Sequence, residues 1–370
     1  MFPGDEKKTA GPSSFKGDQR VILRLLPGPV TLLAAVLLGV ALTCLCVGPV
    51  DVVPSQIAAV LGSTVGLDLP WTYGESERLV VLNIRLPRIL LGIVVGGGLA
   101  VSGALMQGLF RNPLADPGLV GASSGAAVAA IAVIVIGDPL LSLLPPAVAS
   151  GALAVGAFLG GSGAVLIVYR IATREGHTSV TTMLLAGIAV NALAGAGLGL
   201  FIFASNDQQL RDFTFWSLGS LGGATWARLG SGAVLLSIGI LVAPFLARPL
   251  NALLLGEAEA RHLGVPVQRT KAAIVMLSTL TAGAAVAVTG IIGFIGLVAP
   301  HLVRLTVGPD HRVLLPGSAL LGAILLLAAD LFARNIAVPA ELPIGVVTAI
   351  IGAPFFIWLL SRDPSRRGWT

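Results

Sequence analysis

Charge is what this chain has least of. Asp, Glu, Lys and Arg make up 11% of its 370 residues, against about 25% in a soluble domain. With 55% hydrophobic residues and a mean hydropathy of +0.93, that scarcity excludes a water-soluble globular protein and requires an integral membrane one. Cysteine is nearly absent as well. Cys44 and Cys46, two residues apart on one helix, project roughly 200° from each other, which excludes a bridge or shared metal between them. No glycine-rich loop ends in Lys-Ser/Thr, so there is no phosphate cradle of the nucleotide-binding kind. The four histidines (177, 262, 301 and 311) lack metal-ligand spacing with a carboxylate on one helix face. No Ser/His/Asp arrangement shares a plausible pocket. The reading is of no catalytic residue, no metal and no permanently bound cofactor. The net charge of +5 does not point to nucleic acid, because the basic residues lie in short loops between apolar runs, where they set membrane orientation.

What the chain does have is glycine, 47 residues of it, spread through apolar runs where it permits close helix contact in lipid. Those runs fall near 29–47, 88–109, 118–137, 147–171, 182–204, 229–248, 271–290, 291–306, 314–333 and 343–361, each about the length of a span. The fold class expected is all-α and polytopic, with about ten transmembrane helices. A polar, basic amino tail (1–28) precedes the domain at 29–361, and a short carboxyl tail (362–370) follows it. The first run is a full span and not the shorter core of a cleaved signal. With ten spans and both termini in the cytoplasm, 17 of the 23 Lys and Arg residues fall on the inner side and six on the outer, as the positive-inside rule requires. An offset of five helices would set spans two to five and seven to ten in opposite directions, the arrangement of inverted-repeat transporters.

Five stretches stand out from this apolar background. Leu250–Pro266 is a charged helix–Gly–helix knob. Glu257, Glu259, Arg261 and His262 face water, Leu253, Leu254, Ala260 and Leu263 share an apolar side, and Gly264 stops the helix. It is either a docking surface or an ordinary polar loop. Arg85 and Arg88 flank Pro87 at the outer start of the second span, a poor place for cations relative to the helix dipole. Either an acidic partner outside or snorkelling accounts for them. Arg111–Gly118 carries Pro113 and Pro117, which forbid a continuous helix; irregular backbone at that depth needs cover by protein or a water-filled cavity. His177–Thr182 places hydroxyls before the small-residue fifth span, Met183 to Phe203, whose main polar break is Asn191. A narrow gate and simple helix capping both fit. Asp330 and Arg334 have ion-pair spacing, which favours a structural pair over an intramembrane proton site.

Several of these residues, in order, resemble the membrane permeases of bacterial iron–siderophore, haem and cobalamin importers, the type II ATP-binding-cassette family. The match is carried by Arg85-Leu86-Pro87-Arg88, Gly103-Ala104-Leu105-Met106-Gln107 and Asn112-Pro113-Leu114-Ala115-Asp116-Pro117-Gly118. It continues in the run from Gly290 to His301 and in the run from Glu341 to Phe355, and it spans about 30–361. The resemblance implies an inverted-repeat permease of the bacterial inner membrane that works as a homodimer. Its partners would be membrane lipid, two cytoplasmic ATP-binding-cassette subunits that hydrolyse ATP and a periplasmic substrate-binding protein; the chain itself would not be an enzyme. It places ATPase coupling in the knob, at Gly256, Glu257, Ala260, Arg261, Leu263 and Gly264. It places the cytoplasmic gate at Asn112, Leu114, Ser179, Val180 and Thr181, although Val180 stands where a hydroxyl is expected, and it implies that Arg85, Arg88 and Arg334 dock the binding protein. Met183 and Asn191 would lie on the pathway. The apolar fifth span suits a flat macrocycle, so haem leads over a ferric siderophore or cobalamin as cargo. The alternative is a secondary transporter of a bulky metal chelate, which requires an unpaired titratable group in mid-membrane.

Overall fold

The computed structural model describes residues 28–141 and 146–361. The two expected tails therefore lie outside the described residues, apart from Gly28. Seven described helices are long and apolar enough to cross a membrane: α1 (Pro29–Cys46), α3 (Glu75–Phe110), Gly151–Ala172 within α5 (Pro146–Ala172), α6 (Val180–Ala204), the run Trp226–Leu255, α11 (Val267–Thr289) and α13 (His311–Asn335). Three shorter apolar helices, Ala122–Gly137 within α4 (Ala122–Leu141), α12 (Ile295–Val307) and Ile344–Trp358 within α14 (Ile344–Ser361), fill the remaining expected spans in order. The short helices α2 (Pro54–Thr64) and α7 (Asp207–Ser217) occupy the two polar segments between spans. The run Trp226–Leu255 comprises α8 (Trp226–Val242), a 3-10 turn and α9 (Ala247–Leu255), and α10 (Glu257–His262) follows one residue later.

Helix α3 is the hub. Its most apolar stretch is 83% buried, whereas α1 and α6 are 11% buried. Lipid tails are as apolar as leucine, so burial alone does not assemble such a bundle; close packing does. Two glycine pairs allow it. A Cβ on Gly96 would lie 2.5 Å from the Gly322 carbonyl oxygen of α13, and one on Gly103 would run into the Gly296 carbonyl oxygen of α12. The two largest apolar clusters sit around this axis. One gathers Leu105, Met106, Leu250, Ile274 and Leu315 near the knob, and the other gathers Leu91, Val95, Leu221, Leu326 and Ile344 at the opposite end.

Irregular backbone appears where the sequence breaks its own helices. Before Pro87, α3 widens into a π turn at Val80–Arg85, with the Leu86 N–H bonded to the Val81 carbonyl. After α3, Arg111 adopts a left-handed conformation and Asp116 caps a 3-10 turn at Pro117–Val120, as the two prolines demand. Between α5 and α6 the chain makes a small hairpin, β1 (Thr173–Arg174) with β2 (His177–Thr178). Its turn passes through Glu175 and Gly176, both at positive φ. The expected span 291–306 begins only at Ile295, because Gly290 and Phe294 both have positive φ and hold 290–294 out of a helix.

Candidate coupling, gating and docking sites

At the Arg88 end the structure corrects the sequence reading. Arg85, Arg88 and Arg334 are only 3%, 6% and 4% exposed, and their guanidinium groups are used internally. Arg85 donates to the carbonyls of Leu45, Cys46 and Val50. Arg88 holds both Asp330 oxygens, with Nη2 at 2.8 Å from Oδ1, and also chelates Glu341 at 2.9 Å. Arg334 donates to the Cys44 carbonyl at 2.7 Å, while its Nε stands 4.0 Å from Asp330. All three are thus turned into the bundle and away from its surface, although Arg334 Nε has no hydrogen-bond partner there. Asp330 is indeed paired, but chiefly to Arg88, 242 residues away, and less to Arg334 on its own helix. Arg88 holds the Glu341 carboxyl below its usual 4.5, against the opposing effect of partial burial. The arginines left exposed at this end are Arg78, Arg211 and Arg228.

The residues read as a gate lie in two local structures at the other end. Asn112 is exposed, and its Oδ1 accepts the Leu114 N–H at 2.9 Å, which locks the Asn-Pro turn. Leu114 lines a cavity of about 280 Å³ together with Leu99, Asp116, Ser123, Phe294 and Leu297. Asp116 is the acid of that cavity. It caps Gly118 N–H at 2.8 Å, and burial pushes its carboxyl above the usual 3.8. Ser179 caps α6 by accepting the Thr182 N–H at 3.2 Å; Ser179 and Thr181 are exposed and Val180 is half-buried.

Met183 and Asn191 do not line an open passage on this chain. Met183 is fully buried in the core, because it lies on the side of α6 that packs inward. Asn191 donates to the Gly118 carbonyl at 3.2 Å and accepts from Ser124. It pins α6 to the 3-10 turn and to α4, adding a second donor to a carbonyl that already accepts the Gly121 N–H.

The knob forms as expected in outline. Gly256 (φ 132°) separates α9 from α10, and Gly264 (φ 80°) ends α10 with its N–H on the Arg261 carbonyl. Its faces differ from the sequence reading. Leu253, Gly256 and Ala260 are buried within the chain, where Gly256 and Ala260 shape the knob. Leu254 and Leu263 do not join that apolar side: Leu263 is 64% exposed and the neighbouring Leu255 66%, flanked by exposed Glu259, Arg261 and His262. Glu257 does not simply face water either, since Oε1 lies 2.7 Å from the Lys271 ammonium. Asn251 accepts the His311 N–H at 2.9 Å and anchors the knob to α13.

Sequence reasoning assigned no role to Lys271, Glu341 or Asp116. Only Glu341 and Asp116 carried a signal, as charged residues inside the two Pro-containing motifs. Among the described residues no group of three His, Cys, Asp or Glu side chains is placed to hold a metal.

Comparison with known proteins adds the following. The model of the FecCD transport family matches residues 34–362. The chain is 51% identical over 299 residues, 80% of its length and 88% of the relative's, to the hemin transport system permease protein HmuU of Yersinia pestis. It is 45% identical over 302 residues (81% of this chain, 78% of the relative) to the cobalamin import system permease protein BtuC of Halobacterium salinarum. It is also 45% identical over 293 residues (79% and 86%) to the vitamin B12 import system permease protein BtuC of Salmonella paratyphi A. A solved metal-chelate type ABC transporter in an inward-facing conformation has the same fold, with a TM-score of 0.78 at 30% identity, covering 91% of this chain and 100% of that one.

Proposed function

Because the chain belongs to the FecCD transport family, we propose that it is the permease subunit of an ATP-driven haem importer. It works as a homodimer in the bacterial inner membrane, with both termini in the cytoplasm. ATP is hydrolysed on two separate cytoplasmic subunits, and a periplasmic protein delivers the cargo. The observation that carries the cargo assignment is α6. Its 25 residues include no charged side chain, and Leu185, Ile188, Leu193, Leu200 and Phe203 are all exposed on it. Its one amide, Asn191, is turned inward to Gly118 and Ser124. Such a wall offers apolar contact and almost no hydrogen bonds, which suits a flat macrocycle better than a polar siderophore. The higher identity to a hemin permease than to the two cobalamin permeases supports the same choice. A second copy facing α6 across a twofold axis would enclose the path.

In this reading Asn112, Leu114, Ser179, Val180 and Thr181 close the inner mouth, and the exposed leucines and charges of the knob meet the ATPase. A binding protein docks through Arg78, Arg211 and Arg228. A secondary transporter is disfavoured, because Asp330 is tied to Arg88 and is no free proton site. The test is reconstitution of the permease with its ATPase and binding protein in vesicles, the binding protein loaded in turn with haem, a ferric siderophore or cobalamin. ATP-dependent uptake of haem alone is the expected result. Uptake of cobalamin but not haem would overturn the cargo assignment, and uptake without ATP would overturn the importer reading.

A further inference from the structure

Three features outside the roles already assigned invite explanation: the Asp116 cavity, the unpartnered ring nitrogens of His301 on α12 and Nε2 of His311 on α13, and a lysine buried beneath the knob. The lysine carries the most. Lys271, in the first turns of α11, is 2% exposed. An ammonium so placed persists only if it is paired. Its Nζ donates to the Thr178 carbonyl at 2.7 Å and meets Glu257 Oε1 at 2.7 Å. One neighbour is the last residue of the hairpin, and the other is the first residue of α10. Beside it on α11, Gln268 Oε1 accepts the Thr178 N–H at 2.9 Å. Both backbone groups of Thr178 are thus held by side chains of α11. Its hydroxyl pairs with Thr173 across the hairpin at 2.9 Å. The next residue, Ser179, is the cap of α6.

We propose that Glu257, Lys271 and Thr178 form a transmission strut that carries movement of the knob to the inner mouth. The proposal rests on the reading of the knob as the ATPase contact. Lys271 has three N–H donors, and two of them are engaged by groups from different elements. If α10 moves and the hairpin does not, the buried ammonium loses an acceptor in a place that water does not reach. The low-energy response is for α10, Lys271 and the hairpin to shift together, and with the hairpin the cap of α6. Glu257 adds to the link from its position at the start of α10, where a carboxylate also complements the helix dipole. Lys271 does not touch cargo or ATPase; it is a positioning residue.

Two experiments test this. In the first, the permease alone is followed by hydrogen–deuterium exchange. Glu257→Gln should raise exchange at residues 177–182, a segment to which Glu257 makes no direct hydrogen bond, while α3 stays protected. Unchanged exchange at 177–182 overturns the strut whatever the protein transports. In the second, the full complex of permease, ATPase and binding protein is assembled with spin labels at His262 on the knob and at Glu175 on the hairpin. In wild type both labels should move with nucleotide. In Lys271→Met the knob label should still move, the hairpin label should not, and cargo transported per ATP should fall about tenfold, within the usual range of coupling between sites. Lys271→Arg should restore part of the loss. If Lys271→Met does not fold, Gln268→Leu, which frees the Thr178 N–H and keeps the ion pair, should show the same split between labels. Joint movement of both labels in the variant that folds, with a wild-type transport ratio, overturns the proposal. A wild-type complex that takes up cargo without ATP refutes the importer reading instead, and the exchange result still judges the strut.

Discussion

Replacing Asp330 with Asn isolates what holds the Arg88 end of the bundle together. Asn keeps the shape of the side chain and one acceptor but removes its charge. In the native chain Asp330 is the common counter-ion of Arg88, which it meets through both oxygens, and of Arg334, whose Nε is 4.0 Å away. The Arg88 and Asp330 side chains are 7% and 2% exposed. If they were solvated, losing the pair would cost at most about 1 kcal/mol. At this burial the relevant case is the other one, in which one partner of a buried pair is removed and the remaining charge is stranded, at a cost of about 3–5 kcal/mol. Among the described residues Glu341 is the only acid left to Arg88 after the substitution, and at 39% side-chain exposure it cannot neutralise two guanidinium groups.

The comparison is made by equilibrium unfolding in bilayer discs for wild type, Asp330→Asn, Arg88→Met and the double variant. Arg88→Met should cost less than Asp330→Asn, because Asp330 retains Arg334. The two single costs together should exceed that of the double variant by up to about 3 kcal/mol, the coupling usual for residues in one network. An Asp330→Asn variant within about 1 kcal/mol of wild type would refute the reasoning, since surface pairs have that value and water would then have to reach the network.

Two further outcomes follow from the packing and from the edge of that network. Gly103→Ala should destabilise the protein by about 1–3 kcal/mol in the same assay, as overpacking does, because its Cβ meets the Gly296 backbone; Gly230→Ala, with nothing within 4 Å of its Cβ, should be neutral or slightly stabilising. The Glu341 carboxyl is held below its usual 4.5 by Arg88, so its contribution is fully present above that value and is lost as pH falls through the depressed one; the unfolding midpoints of wild type and Glu341→Gln should differ at pH 7 and converge in stronger acid.

The spans were legible in the sequence because length and hydropathy decide them, and all ten expected segments correspond to apolar helices of the structure. The breaks at Pro87, Pro113 and Pro117 were legible for a local reason, since proline acts on its own turn. So was the helix–Gly–helix form of the knob. Its faces were not. A nine-residue helix and a six-residue one are too short for periodicity to separate the side that packs on α11 and α13 from the side that faces solvent. Leu254 and Leu263 were accordingly assigned inward and are found outside.

The arginines show where composition stops being informative. Counting basic residues assigns each loop to a side, because a cation beside an apolar run must reach a polar boundary. The count is blind to what supplies that boundary. For Arg85 it is not water but the carbonyls at the end of α1 and in the loop after it, about forty residues earlier. For Arg88 it is an aspartate 242 residues later and a glutamate 253 residues later. A guanidinium has five donors in a fixed plane, so it can serve as the internal fastener of three distant segments as readily as it can meet an external carboxylate. Which of the two it does depends on whether the fold closes acceptors around it. That information resides in long-range packing, here in the close approach of Gly96 on α3 to Gly322 on α13, which brings the Arg88 and Asp330 helices into register.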